Sequence, residues 1–245
     1  IGVGAREVGY MFGMYKKLAT RHNGVFTSKH LSSGGSILRP EATGYGLIYI
    51  TNKALKTYYN TSIENKSVII SGSGNVGINA AYKARELGAK VIAISSIDGI
   101  IHDENGVDIN LIDDLNKNKI HIKNYCNTYQ EAIYLKNPKD IWMIKADIYL
   151  PCATQNEINN IDALFIVENN PLVVAEGANK PSTTEAIEIF KYNKILHIPS
   201  KAANAGGVAT STFEMNQNAT HSVWTKQYVD QQLKLTMENI FNNIY

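Results

Sequence analysis

Residues 68–77, VIISGSGNVG, decide the fold. Val68-Ile69-Ile70 reads as a buried strand, and G-x-G-x-x-G follows it at Gly72, Gly74 and Gly77. Asn75 to Leu87 reads as a helix with Gly88 as its stop, and Val91-Ile92-Ala93-Ile94 reads as the next strand. This is a β-α-β unit with the span of a right-handed crossover. Each glycine has its own reason. Gly72 allows the tight turn, Gly74 lets a pyrophosphate approach the backbone, and Gly77 lets the helix pack close on the strand. The helix N-terminus adds free N–H groups and a partial positive charge. Gly72, Ser73, Gly74, Asn75, Val76 and Gly77 therefore form a candidate phosphate cradle. A glycine-rich turn without a ligand uses the same residues; the strand before it and the helix after it favour a dinucleotide.

The second strand ends Ser95-Ser96-Ile97-Asp98. An acidic residue here usually bonds the ribose 2′-OH of NAD. Two hydroxyls, Ser95 and Ser96, hold that place instead. They can donate to a 2′-phosphate without repelling it, which leans towards NADP(H), with NAD(H) the alternative through Asp98.

The bulk properties exclude several other classes. The 245 residues are 44% hydrophobic, enough for a sizeable core. Lys and Arg number 24 against 22 Asp and Glu, so no basic face for nucleic acid is expected. No apolar run is long enough for a membrane helix. Cys126 and Cys152 have no metal-ligand spacing, and the 6 histidines are scattered. A reducing, cytoplasmic setting is expected.

Outside the central unit, Val8, Met11, Phe12, Tyr15 and Leu18 mark an amphipathic helix over 4–19, and a polar loop over 27–40 follows. Pro40 is placed to open a helix running to about residue 59. Further along, 108–118 reads as a helix and 147–150 and 172–175 as strands. Residues 182–192 read as a helix capped by Ser182 with Glu185, 195–198 as a short strand, and 223–245 as an amphipathic helix. Residues 117–140 are polar and carry no clear assignment. The alternation predicts an α/β fold: Rossmann-like and doubly wound, a mostly parallel sheet with helices on both faces, plus flanking helices. The division expected is 1–40 as the end of a substrate domain and interdomain segment, 41–222 as the dinucleotide-binding domain, and 223–245 as the start of a C-terminal helical segment.

Four more segments mix glycine with small polar residues: RPEATGYG (39–46), PCATQNE (151–157), AEGANKP (175–181) and PSKAANAGGVATS (199–211). Two of them directly follow strands, where open α/β sheets bind ligands. Any one alone is an ordinary turn; together they suggest one crevice.

With these segments, and above all PSKAANAGGV (199–208) followed by Phe213-Glu214-Met215, nearly the whole chain resembles the glutamate dehydrogenases of the glutamate/leucine/phenylalanine/valine dehydrogenase family. The resemblance implies reversible oxidative deamination of L-glutamate to 2-oxoglutarate and ammonium, with hydride passing between substrate Cα and nicotinamide C4. It implies that Thr43 binds the nicotinamide end and that Asn75 meets the pyrophosphate or its ribose. Ala153 and Thr154 would line the adenosine-to-ribose path, Asn179 would bond the nicotinamide ribose, and Asn204 would reach the carboxamide. Ser211 would help hold the substrate side-chain carboxylate, where relatives acting on leucine or phenylalanine carry an apolar residue. Val208 and Gly2 would also lie against substrate. A helix serine bonding its own preceding turn is the plain alternative for Ser211.

The resemblance places the family's catalytic Lys and Asp upstream of Ile1, so no catalytic residue is expected in this chain. Lys16, Lys17, Lys29 and Lys201 are expected to be solvated or ion-paired. The chain is expected to be truncated at both ends, to bind cofactor without turnover, and to come from a homo-oligomer, a hexamer in the full-length protein. A relative acting on another amino acid and a non-catalytic dinucleotide-binding module are the competing readings.

Overall fold

A computed structural model describes residues 3–19 and 24–245. Gly2, expected at the substrate, lies outside the described residues. Helix α1 (Ala5–Leu18) comes first, and α2 (Ala42–Tyr59) follows a loop. Strand β1 (Ser67–Ser71), α3 (Asn75–Glu86) and β2 (Lys90–Ser96) form the expected β-α-β unit. Then come β3 (Gly99–His102), α4 (Ile109–Lys117), the single turn α5 (Tyr125–Thr128) and β4 (Ile133–Leu135). The second half alternates through β5 (Ile148–Pro151), α6 (Asn160–Glu168), β6 (Val173–Ala175), α7 (Thr184–Tyr192) and β7 (Leu196–Ile198). It closes with the short α8 (Ser200–Ala203), α9 (Gly206–Ala219) and α10 (Lys226–Ile244).

The seven strands form one sheet in the order β4-β3-β2-β1-β5-β6-β7. From β2 through β7 the neighbours pair in parallel, while β3 runs against both β2 and β4. The chain leaves β1 towards β2 on one side and later returns to β5 on the other. The carboxyl ends of β1 and β5 therefore flank the topological switch point, where such sheets open a crevice.

Alternation along the strands fills both faces. Val68 and Ile70 of β1 pack into a core with Leu47, Ala80 and Phe241 of α2, α3 and α10. Ile69 points the other way, into a core with Trp142, Ala163 and Phe190, the last two from α6 and α7. This is the doubly wound arrangement expected from the sequence.

Helix α10 is held to the first core by a polar knot. Asp230 accepts the Tyr49 hydroxyl at 2.7 Å and pairs with the buried Lys83 ammonium at 3.3 Å. Lys83 also pairs with Glu86 at 2.8 Å and lies over the Tyr45 ring. The cation thus has partners on α2, α3 and α10, which a buried ammonium needs.

Several elements differ from the sequence expectation. Pro40 lies in the turn before α2, and Glu41 rather than Pro40 borders the helix. Thr183, not Ser182, caps α7: its hydroxyl accepts the Ala186 N–H, while Ser182 is buried and bridges Ile158. The tail helix starts at Lys226, capped by Thr225. Most of the segment 199–211 is helical, in α8 and α9. Strands β3 and β4 and helix α6 were not expected. No helix among the described residues is long and apolar enough to cross a membrane.

Candidate functional site

The glycine loop turns at Gly72, whose φ of +81° lies in the left-handed region that favours glycine. A side chain there would also press on Ala153, with Cβ 2.8 Å from its Cα. This brings the end of β1 against the loop that follows β5. Gly77 is explained by a closer approach than helix-on-strand packing alone: a Cβ would collide with the Gly72 carbonyl oxygen. Gly74 caps α3 with extended backbone and no side-chain hydrogen bond, and a Cβ there would meet no atom within 4 Å. The first-turn N–H groups of α3 lack intrahelical acceptors, as at any helix start, and the space beside Gly74 is open. That is the geometry an anionic phosphate needs.

Three side chains from three parts of the chain anchor this loop. Ser95 of β2 accepts the Gly72 N–H at 3.0 Å. Asn116 of α4 donates to the Ser73 carbonyl at 2.9 Å and accepts the Ser73 hydroxyl at 3.3 Å. Asn75 donates to the Pro40 carbonyl at 2.7 Å, tying the start of α3 to the entry of α2.

A cavity of about 650 Å³ opens beside the loop, a volume ordinary for a small-molecule site. Gly72, Ser73, Gly74, Ser95, Ser96, Ala153 and Thr154, all marked in the sequence, line it. Asn116, Lys139, Trp142 and Glu157 line it without having been marked. Glu157 Oε1 accepts the Ala153 N–H at 3.1 Å and so ties the ends of the PCATQNE segment together. Burial pushes the Glu157 carboxyl up to about 7, against the lowering effect of hydrogen bonds from Ser71, Ala153 and Thr154. Burial likewise pushes the Cys152 thiol well up, so it is no nucleophile near neutrality.

The end of β2 separates its polar groups. Ser95 lines the cavity, and its oxygen accepts the Gly72 N–H. Ser96 and the fully exposed Ile97 also line it, and Asp98 does not. Asp98 Oδ2 accepts the Ile122 N–H at 3.0 Å and lies 3.4 Å from His121 Nδ1. Burial raises its pKa, but the nearby Ser96 hydroxyl, the Ile122 N–H and His121 outweigh that and leave the carboxyl below its usual range.

The remaining marked residues gather in two further groups. Asn204 donates to Asn179 Oδ1 at 2.7 Å, joining the EGAN segment to the AANAGG segment. In the other group, Ser211 is buried and its oxygen accepts the Arg39 Nε–H at 2.9 Å. A Cβ on Gly207 would sit 2.6 Å from Thr43 Oγ1 and 3.5 Å from an Arg39 terminal nitrogen. Arg39, Thr43 and Ser211 therefore converge around the start of α9, which Gly206 lets approach the Ala42 carbonyl. Burial lowers the Arg39 pKa while Glu214 raises it. Arg39 was missed as a site residue, although RPEATGYG was marked; nothing in one sequence separates a site arginine from a surface one. Val208 stands largely exposed, and Val76 lies in the first turn of α3 against Gly177.

Lys29 pairs with Glu214 at 2.7 Å, both side chains fully buried, while Lys16, Lys17 and Lys201 are exposed. Among the described residues no cluster of His, Cys, Asp and Glu could hold a metal ion.

The sheet order, the two covered faces and the crevice at the switch point define a Rossmann-like α/β protein. The Glutamate/Leucine/Phenylalanine/Valine dehydrogenase model matches residues 34–245, and the chain belongs to that family. It is 49% identical over 245 residues to the NAD-specific glutamate dehydrogenase of Bacteroides fragilis, covering 98% of this chain and 54% of that one. It is 44% identical over 246 residues to the NADP-specific glutamate dehydrogenase of a Psychrobacter species, covering 99% and 54%. The crystal structure of Plasmodium falciparum glutamate dehydrogenase superposes with a TM-score of 0.92 at 44% identity, covering 99% of this chain and 52% of that one. The chain spans about half the length of the curated relatives it matches. Both cofactor names occur among them, so likeness alone does not choose between NAD and NADP.

Proposed function

We propose that this chain is the cofactor-binding part of a glutamate dehydrogenase that uses NADP(H), reversibly converting L-glutamate to 2-oxoglutarate and ammonium. The observation that carries the cofactor half of this reading is the open Gly74 crest beside the 650 Å³ cavity, at the N-terminus of α3. The dinucleotide, when bound, supplies the hydride acceptor at nicotinamide C4. Residues 72–77 cradle its pyrophosphate, Ala153 and Thr154 line the path to the adenosine, and Asn179 and Asn204 take the nicotinamide ribose and carboxamide. Thr43 lies at the nicotinamide end. Ser211 and Arg39 present a hydroxyl and a guanidinium, the pair a substrate carboxylate requires. An apolar substrate side chain would leave that pair without its anion.

Ser96 supports the 2′-phosphate reading, because it borders the cavity while the Asp98 carboxylate is held by Ile122. NAD(H) is the second reading, favoured by the charge that Asp98 retains beside Ser96. Fluorescence titration of the chain with NADPH and with NADH separates them. The account expects tighter NADPH binding, lost on Ser96→Asp. Tighter NADH binding by the wild type would assign the acidic role to Asp98.

The proposal keeps residues 41–222 as the dinucleotide-binding domain, 1–40 as the end of the substrate domain, and 223–245 as the start of a C-terminal helical segment. It assigns the proton transfers to no residue of this chain, which alone binds cofactor without turnover. Glutamate-dependent NADP reduction by the purified chain would refute that. The whole protein is proposed to be a cytoplasmic homohexamer, acting on neither nucleic acid nor membrane.

A further inference from the structure

We propose that Asn116 is a positioning residue for the pyrophosphate of the bound dinucleotide; this rests on the dinucleotide reading of the cavity. Of the three anchors on the glycine loop, Asn116 alone grips Ser73, the residue between Gly72 and Gly74. It does so twice: its Nδ2 donates to the Ser73 carbonyl at 2.9 Å, and its Oδ1 accepts the Ser73 hydroxyl at 3.3 Å. A carboxamide is the side chain that can do both, since it carries a donor and an acceptor on one carbon.

The lock fixes two things. Holding the Ser73 carbonyl towards α4 sets the peptide plane between Ser73 and Gly74, and so directs the Gly74 N–H. Holding the Ser73 hydroxyl aims its oxygen at α4. Asn116 is itself firmly based, because Ile112 and Leu115 of the same short helix are buried in the core. It also borders the cavity, so its amide is close enough to act on a ligand's charge as well as on the loop.

Replacement by aspartate separates these effects from plain loss of stability. Aspartate keeps the acceptor for the Ser73 hydroxyl, loses the donor, sets a carboxylate against the Ser73 carbonyl, and adds negative charge beside the pyrophosphate. Alanine removes both bonds and adds no charge.

The test compares Kd values of the wild-type chain, Asn116→Ala and Asn116→Asp for NADPH, for NADH and for adenosine, which has no phosphate. Asn116→Ala is expected to weaken both dinucleotides about tenfold, as for loss of one or two hydrogen bonds, and to leave adenosine within about twofold. Asn116→Asp is expected to weaken the dinucleotides further than alanine does, with part of the loss recovered on protonating the aspartate at low pH. Equal weakening of dinucleotides and adenosine would reduce Asn116 to a structural residue and overturn the proposal, as would unchanged affinity for all three. If the wild-type chain binds neither dinucleotide, the cavity reading itself fails, and this inference with it.

Discussion

The Ser95 hydroxyl accepts the Gly72 N–H at 3.0 Å, so the second strand of the central unit holds the turn that ends the first. A hydroxyl at the end of β2 looks in sequence like a ribose or phosphate ligand. Here it fixes the backbone of the glycine turn. Ser95→Ala should therefore cost about 1–3 kcal/mol, because it strands a part-buried N–H. The ratio of NADPH to NADH affinity should stay within about twofold, since Ser96 is untouched. Denaturant unfolding and paired titrations check both.

Gly77→Ala should be more damaging than its small size suggests. The added methyl collides with the Gly72 carbonyl oxygen and crowds Ile70. Backbone has to move, and a loss of about 2–3 kcal/mol in urea unfolding is expected. Gly74→Ala, with nothing within 4 Å, should unfold like the wild type while binding dinucleotide more weakly.

Glu157 gives a pH signature. Its folded pKa is pushed up to about 7 from 4.5, chiefly by burial. A raised pKa means the folded state binds the proton more tightly than the unfolded state does. The contribution to stability is therefore present below 4.5 and lost as pH rises through about 7. Glu157→Gln keeps an acceptor for the Ala153 N–H and removes the charge. The variant should be more stable than wild type above neutrality by about 1–2 kcal/mol, allowing for partial exposure, and should lack this pH dependence. Thermal melts across pH 4–8 test it.

Lys29 and Glu214 form the buried pair that ties the loop before α2 to α9. Lys29→Met leaves the Glu214 carboxylate with only backbone donors from Ser28 and Lys29. A loss of about 3–5 kcal/mol is expected for the single variant, and much of it should return in Lys29→Met/Glu214→Leu. A double-variant loss equal to the sum of the two single-variant losses would show that the charges are not coupled.

The central β-α-β unit was legible because three local signals agree there: an apolar run, a glycine turn and a helical period. Strand β3 was not expected although Asp98-Gly99 between apolar residues is a hairpin signal; that signal overlaps the polar end of β2, which reads equally as a ligand-binding turn. Helix α6 was not expected because ALFIV (163–167) is a short apolar run, which does not reveal its period. Its marker was Asn159 with Asp162, a reciprocal cap that the structure forms. At the site, the segments could be read but the pairings could not. Asn116 lies 43 residues from Ser73, and Arg39 lies 172 from Ser211. Contacts at such separations are set by the order of strands in the sheet, and no local pattern encodes them.

The dinucleotide proposed for this chain lies across the carboxyl ends of β1 and β5, on the glycine loop. Amide hydrogen exchange of the chain with and without saturating NADPH tests it most directly. Exchange should slow in residues 72–77 and at Ala153 and Thr154, with the bottom of the sheet unchanged. Exchange unaltered at the glycine loop while NADPH is bound would contradict it.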